Sequence, residues 1–270
     1  METILHGKRT LFFTVALAVL ISVTSVGGLS LGTLYVREAP DWAIQCIGQD
    51  IIDLALLVPT LLISLLCMRR GMKPALFVWL GATIYTGYTF FIYSFSVHFN
   101  QFFLVYCAVL GLSVYATITT IVATDLQALT GWFDEQRSLR LASTFLFMLA
   151  VLFCLLWLEE IVPATLRNDI PLPLKNAGLP TNPVHVLDLS LLLPGFIIVS
   201  VLLRKKHPYG YLFAPVFIAF AALMDVTIGA LMVIMALKGL PASIPMVGAF
   251  AVLAVISVLI FAGLVKRTPD

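Results

Sequence analysis

The 270-residue chain is 61% hydrophobic and only 11% charged, with a formal net charge of +2 and a mean hydropathy of +1.05. So few charges exclude an ordinary soluble globular domain, and so small a net charge gives no basis for nucleic-acid binding. The composition predicts an all-α integral membrane protein with membrane lipid around it.

A helix needs about 20 apolar residues to cross the hydrocarbon core. Eight segments approximate that length: 11–35, 49–68, 75–97, 101–123, 139–160, 184–203, 210–236 and 242–265. The first follows Lys8 and Arg9, and the small residues from Ser22 to Gly28 also allow a secretory signal. The third and fourth are divided only by the polar break His98, Asn100 and Gln101, which reads as a tight helical hairpin. The stretch 124–138, with Asp125, Trp132, Asp134, Glu135 and Arg137, reads as a linker carrying a short interfacial helix. The stretch 161–183 contains Pro163, Pro171, Pro173, Pro180 and Pro183, so an extended loop over the outer mouth is expected there.

Lys and Arg concentrate in cytoplasmic loops. With eight crossings and both termini cytoplasmic in a cell membrane, 12 of the 16 basic residues fall inside: Lys8, Arg9, Arg69, Arg70, Lys73, Arg137, Arg140, Arg204, Lys205, Lys206, Lys266 and Arg267. Four fall outside, namely Arg37, Arg167, Lys175 and Lys238. The inner clusters at 69–73 and 204–207 are topology signals first and anionic-lipid contacts second.

One stretch occurs twice. Residues 53–70 read DLALLVPTLLISLLCMRR and residues 188–205 read DLSLLLPGFIIVSVLLRK, 135 positions later. The shared acid, proline and closing basic pair predict two four-helix repeats, residues 1–135 and 136–270. Four helices return the chain to its starting side, so the repeats are parallel and related by a pseudo-two-fold axis along the membrane normal.

Asp50 and Asp53 are three residues apart, as are His185 and Asp188, so each pair shares a helix face. Three carboxylates and an imidazole at equivalent depth are candidates to converge on a ligand, a proton or a divalent cation. The plainer reading is a set of polar residues in the first turns of two helices, favoured by the macrodipole, with Asn182 as N-cap and Pro183 at the first helical position. Pro59 and Pro194 follow the acids by six residues and are expected to kink their helices, freeing the carbonyls of Ala55 and Ser190. Asp225 lies near the middle of 210–236, where an ionised carboxylate costs about 2.5–3.5 kcal/mol. Its counterpart in the first half is Phe90, so it is no part of a shared scaffold. It serves either function or packing, bonded through Thr227 or a tyrosine of another helix.

Tyr106, Ser113, Thr117, Thr120 and Thr124 keep one face of helix four, and Tyr85, Tyr88, Thr89 and Ser96 do the same on helix three. Such hydroxyls line a wet path or bond helices together. Glu159 and Glu160 add acid at the outer end of helix five. Among the four cysteines, only Cys46 is expected near the outer aqueous face. No CxxC or HExxH spacing is present, so no metal site is assigned and no cofactor is named.

The runs GQDIIDLALLVP, RRG and HFNQFFLVYCAVLGLSVYA, with HVLDLSLLLP and RKKHPYGYLFAPV in the second half, resemble a group of bacterial multi-pass membrane proteins that carries no established activity. His207, Pro208 and Asp225 are also similar to a basic turn followed by an acid-bearing helix in the four-helix modules of the emopamil-binding and sterol-isomerase group. These features together predict either a binder of a small or lipid-like ligand or an ion-linked solute transporter, with an outward-opening cavity between the repeats. The alternative is an intramembrane enzyme acting on a lipid or isoprenoid-like substrate through Asp225.

Overall fold

The computed structural model describes residues 7–133 and 136–265. Asp134, Glu135, Lys266 and Arg267 lie outside the described residues. Ten helices follow one another without a strand among the described residues: α1 Lys8–Ser30, α2 Pro40–Arg69, α3 Pro74–Ser96, α4 Phe103–Ala123, α5 Leu126–Thr130, α6 Gln136–Arg167, α7 Leu172–Ala177, α8 Pro183–Arg204, α9 Pro208–Leu237 and α10 Ile244–Val265. All except α5 and α7 are long and apolar enough to cross a membrane.

Local chemistry sets the boundaries. Proline stands at the first helical position of α2, α3, α8 and α9, where its missing N–H costs nothing. Asn182 caps α8 by accepting from the Val184 and His185 N–H groups, and Asp125 caps α5 in the same way. The turn after α2 is closed by Gly71 at φ +83°, a left-handed conformation that glycine adopts freely. The α3–α4 hairpin closes where Asn100 Oδ1 accepts from the Phe102 N–H.

Four boundaries differ from the sequence expectation. The first helix, expected to run to residue 35, ends at Ser30, and Tyr35 falls in a connection. The helix expected from residue 49 starts at Pro40, because the polar residues Asp41, Gln45 and Gln49 mask an amphipathic stretch whose Trp42 and Cys46 are buried. Cys46 is therefore buried rather than near water, and Cys107 is the exposed cysteine. The stretch 161–183 is not extended throughout: α6 continues through Pro163 to Arg167, and α7 forms a further helical turn.

The two repeated prolines are accommodated in the same way. Asp53–Leu57 and Asp188–Leu192 are π-helical turns, closed by the Val58 N–H to the Asp53 carbonyl and by the Leu193 N–H to the Asp188 carbonyl. In a regular α-helix a proline ring clashes with the carbonyl four residues back. One extra residue in the preceding turn rotates those carbonyls away from the ring, and such π-bulges are frequent at functional sites.

The core centres on α3, whose apolar window is 67% buried, against 22% for α10. Trp79, Phe77, Tyr85 and Phe90 of α3 are fully enclosed. In the first half α1 packs on α2 and α4, and α3 packs on α2 and α4. In the second half α6 packs on α8 and α10, and α9 packs on α8 and α10. The halves meet where α3 crosses α9, with α2 against α9 and α8 against α3. At this crossing a Cβ on Gly81 would lie 2.8 Å from the Val216 carbonyl oxygen, so only glycine allows the two backbones to come so close. The periphery is apolar, with Leu104, Val122 and Leu259 facing outward.

Candidate functional site

Carboxylates buried among apolar helices need donors, since an unpaired charge there is very costly. The structure buries Asp50, Asp53, His185, Asp188 and Asp225 and supplies six of the eight carboxylate oxygens with hydrogen bonds from uncharged groups. Asp50 accepts from Tyr35 at 2.7 Å and from Tyr93 at 3.3 Å. The Asp50 carboxylate presses on α1 at Gly28, where a Cβ would fall 1.8 Å from Oδ2. Tyr35 lies in the connection between α1 and α2. Burial and the adjacent Asp50 push its phenol well above its ordinary pKa, so it remains a donor at neutral pH.

Asp53, one turn further along α2, accepts from Gln49 Nε2 at 2.8 Å through Oδ1. Its Oδ2 is buried without a partner among the described residues. Gln49 also donates to Tyr85 at 3.1 Å, and Tyr85 donates to Thr227 of α9 at 2.8 Å. A line of polar side chains thus runs from α2 through α3 into the other half.

Asp188 is fully served, by Tyr88 at 2.9 Å and by the Trp157 indole at 2.8 Å. His185 lies against Trp157, ring centroids 4.6 Å apart, and approaches Asn182. Asp225 accepts from Ser257 of α10 at 3.1 Å. Its partner is neither Thr227 nor a tyrosine, the two expected for it; Thr227 accepts from Tyr85 instead. Among the described residues neither of the two ion pairs, Glu38 with His98 and Asp169 with Lys175, involves these four aspartates.

Convergence of the four groups on α2 and α8 does not occur. Asp50 faces α1 and α3, Asp188 faces α3 and α6, and no group of three or more His, Cys, Asp or Glu side chains suited to a metal ion exists among the described residues. Nor do Asp50 and Asp53 occupy a first turn, because α2 begins ten residues before Asp50. Of the α4 hydroxyls, Ser113, Thr120 and Thr124 are buried, and Ser113, Thr117 and Thr124 bond carbonyls of their own helix rather than another helix. Glu159 is exposed, and Glu160 lines an open groove of about 510 Å³ beside His185, Asn182 and Asp169.

Two cavities adjoin these groups. One of about 110 Å³ lies between the halves, walled by Trp42, Gln49, Tyr85, Tyr93, Thr227 and Leu231 among others. A smaller one of about 30 Å³ is lined by Asp188 and Asp225 with Phe153, Phe196 and Phe220. Tyr88, Val184, Met224 and Ile228 line both, so the two form neighbouring compartments. Tyr35, Gln49, Trp157 and Ser257 escaped the sequence reading. Only Gln49 left a signal there, since it stands one helical turn before Asp53.

No protein-family model matches the chain, and neither curated proteins nor solved structures yield a match. Its class is defined by fold and site: an all-helical protein, with eight helices long and apolar enough to cross a membrane, enclosing neutral-partnered carboxylates beside an aromatic cavity.

Proposed function

We propose that the chain is a multi-pass protein of the cell membrane that binds a small or lipid-like ligand in an outward-opening cavity between two parallel four-helix repeats, with ligand occupancy linked to an ion or proton. The repeat reading is supported by the π-turns 135 residues apart and by packing pairs that map onto each other under that offset. Gly81 touches Val216 and Tyr85 touches Phe220, ring centroids 5.9 Å apart; residues related by the offset meet in this way only near a two-fold axis.

The observation that carries the functional reading is Tyr88. It lines both compartments while donating to Asp188, and so joins an apolar, aromatic cavity to two carboxylates that have no cationic partner within 4 Å among the described residues. Intramembrane acids of this kind mark ion and proton pathways. Asp53, whose Oδ1 accepts from the cavity residue Gln49 and whose Oδ2 has no partner among the described residues, adds a third such group. The volume of about 110 Å³ is well below the roughly 300–1,000 Å³ of drug-sized sites. The occupant is therefore a small molecule or the end of a lipid-like one.

An experimental structure of protein extracted with native lipids tests this reading. A bound molecule beside Tyr88 and Met224 is expected, and cavities closed by the protein's own side chains would reject it. For topology, cysteines introduced at Arg37 and Lys175 should label from outside the cell; labelling only from the cytoplasm would reverse the orientation. The second reading, an intramembrane enzyme, is favoured by one observation: Asp188 and Asp225 face a single small compartment walled by three phenylalanines, an arrangement able to pair an acid with a base and to stabilise positive charge.

A further inference from the structure

At the opposite end of α8 from its acids, a cavity of about 400 Å³ is lined by Leu139, Arg140, Thr144, Leu203, Arg204 and Lys206. Three cationic side chains meet there, and among the described residues no carboxylate lies within 4 Å of any of them. Arg204 is held in place. Its Nε donates to Ser143 Oγ at 2.8 Å and its terminal nitrogen to Thr144 at 3.3 Å, while Ser143, fully buried, bonds Ser200 of α8 in turn. A guanidinium anchored on one edge keeps its remaining N–H groups for a ligand, and its planar fork matches phosphate oxygens.

Lys206 supplies an independent sign. It adopts φ +55°, the left-handed conformation that side chains with a Cβ disfavour. The residue 135 positions earlier, Gly71, holds the same kind of turn at φ +83° as a glycine. A lysine standing where the backbone favours glycine points to a task for the ammonium group. Directly beyond the cavity the same helix faces become apolar and exposed. Phe147 follows Arg140 by seven residues on α6, and Ile197 and Val201 precede Arg204 by seven and three on α8.

We propose that this cavity binds the phosphate headgroup of an anionic phospholipid, whose acyl chains lie along the α6–α8 faces. Arg204 is the fixed phosphate ligand, Arg140 and Lys206 supply the further positive charge, and Thr144 closes the rim. Basic pockets between helices at the cytoplasmic membrane surface take such headgroups. The inference rests on the membrane reading above but not on the ligand cavity, and detergent-solubilised protein tests it whatever the helix orientation or cavity content.

Native mass spectrometry with phosphatidylglycerol and phosphatidylcholine offered together should show phosphatidylglycerol retained at least tenfold more strongly. Arg140→Gln with Lys206→Gln should erase that preference, whereas Arg69→Gln with Arg70→Gln, which alters equal charge at the other cluster, should leave it within twofold. Lys206→Gly should keep or raise the melting temperature while weakening phosphatidylglycerol retention several-fold, an outcome that a merely structural lysine would not give. The proposal falls if both lipids are retained equally, if the two double variants behave alike, or if inorganic phosphate at millimolar concentration displaces the lipid completely.

Discussion

Two stretches written in nearly the same residues, Gln49–Pro59 on α2 and Val184–Pro194 on α8, end in different surroundings. Each places an acid at the head of a π-turn six residues before a proline. On α2 the helix has already run ten residues from Pro40, so Asp50 and Asp53 lie deep in it. Asp50 is wedged against Gly28 with tyrosines on either side, and Asp53 keeps one oxygen unserved. On α8 the helix has only just begun at Pro183. His185 therefore borders the open groove, and Asp188 has a donor on each oxygen. A common backbone device thus presents one acid as tightly satisfied and its counterpart as incompletely satisfied, and the partners from other helices make that difference.

The comparison breaks most severely at Gly28. Replacing it with valine drives a side chain into the Asp50 carboxylate and Tyr35, and we expect a loss of about 1–3 kcal/mol or more, as for overpacked cores. Valine at Ala164, which lines the open groove, should cost less than about 0.5 kcal/mol. Unfolding in graded denaturing detergent measures both, and equal losses would show that the two environments do not differ as described.

Next in size is Asp188→Asn. Its amide must turn an N–H toward Tyr88 or Trp157, leaving a buried donor unsatisfied, for about 1–3 kcal/mol. Asp53→Asn meets no donor at Oδ2 and should cost less than about 1 kcal/mol in the same assay. A larger loss at Asp53 would mean that its second oxygen has a partner of its own.

Trp157→Phe removes one donor from Asp188 while preserving the aromatic wall beside His185, and about 1 kcal/mol is expected from the lost hydrogen bond. The smallest effect on stability belongs to Asp225→Asn, below about 1 kcal/mol, because the Ser257 hydroxyl can rotate to donate to the amide oxygen. Occupancy of the cavity, read by mass spectrometry of co-purified molecules, should nevertheless drop at Asp225→Asn. Unchanged occupancy would leave Asp225 as a packing residue.

By itself the sequence determined the helices. Apolar runs of sufficient length separated by proline, glycine and charge give eight long helices, because hydrophobic length and capping chemistry act locally. It also marked Asp225 as lying within a long apolar segment, since that carboxylate has apolar neighbours on the turns around it and no solvated face to occupy. Only the tertiary structure decided which partners those acids meet. Tyr35 reaches Asp50 from a connection, Trp157 reaches Asp188 from α6 and Ser257 reaches Asp225 from α10. None of these lies within a helical turn of its acid, and hydrogen bonds between helices depend on how the helices rotate and cross, which no local spacing encodes. The early start of α2 was hidden for a related reason: its polar residues break the apolar run, while the burial of Trp42 and Cys46 against neighbouring helices makes that stretch part of the core.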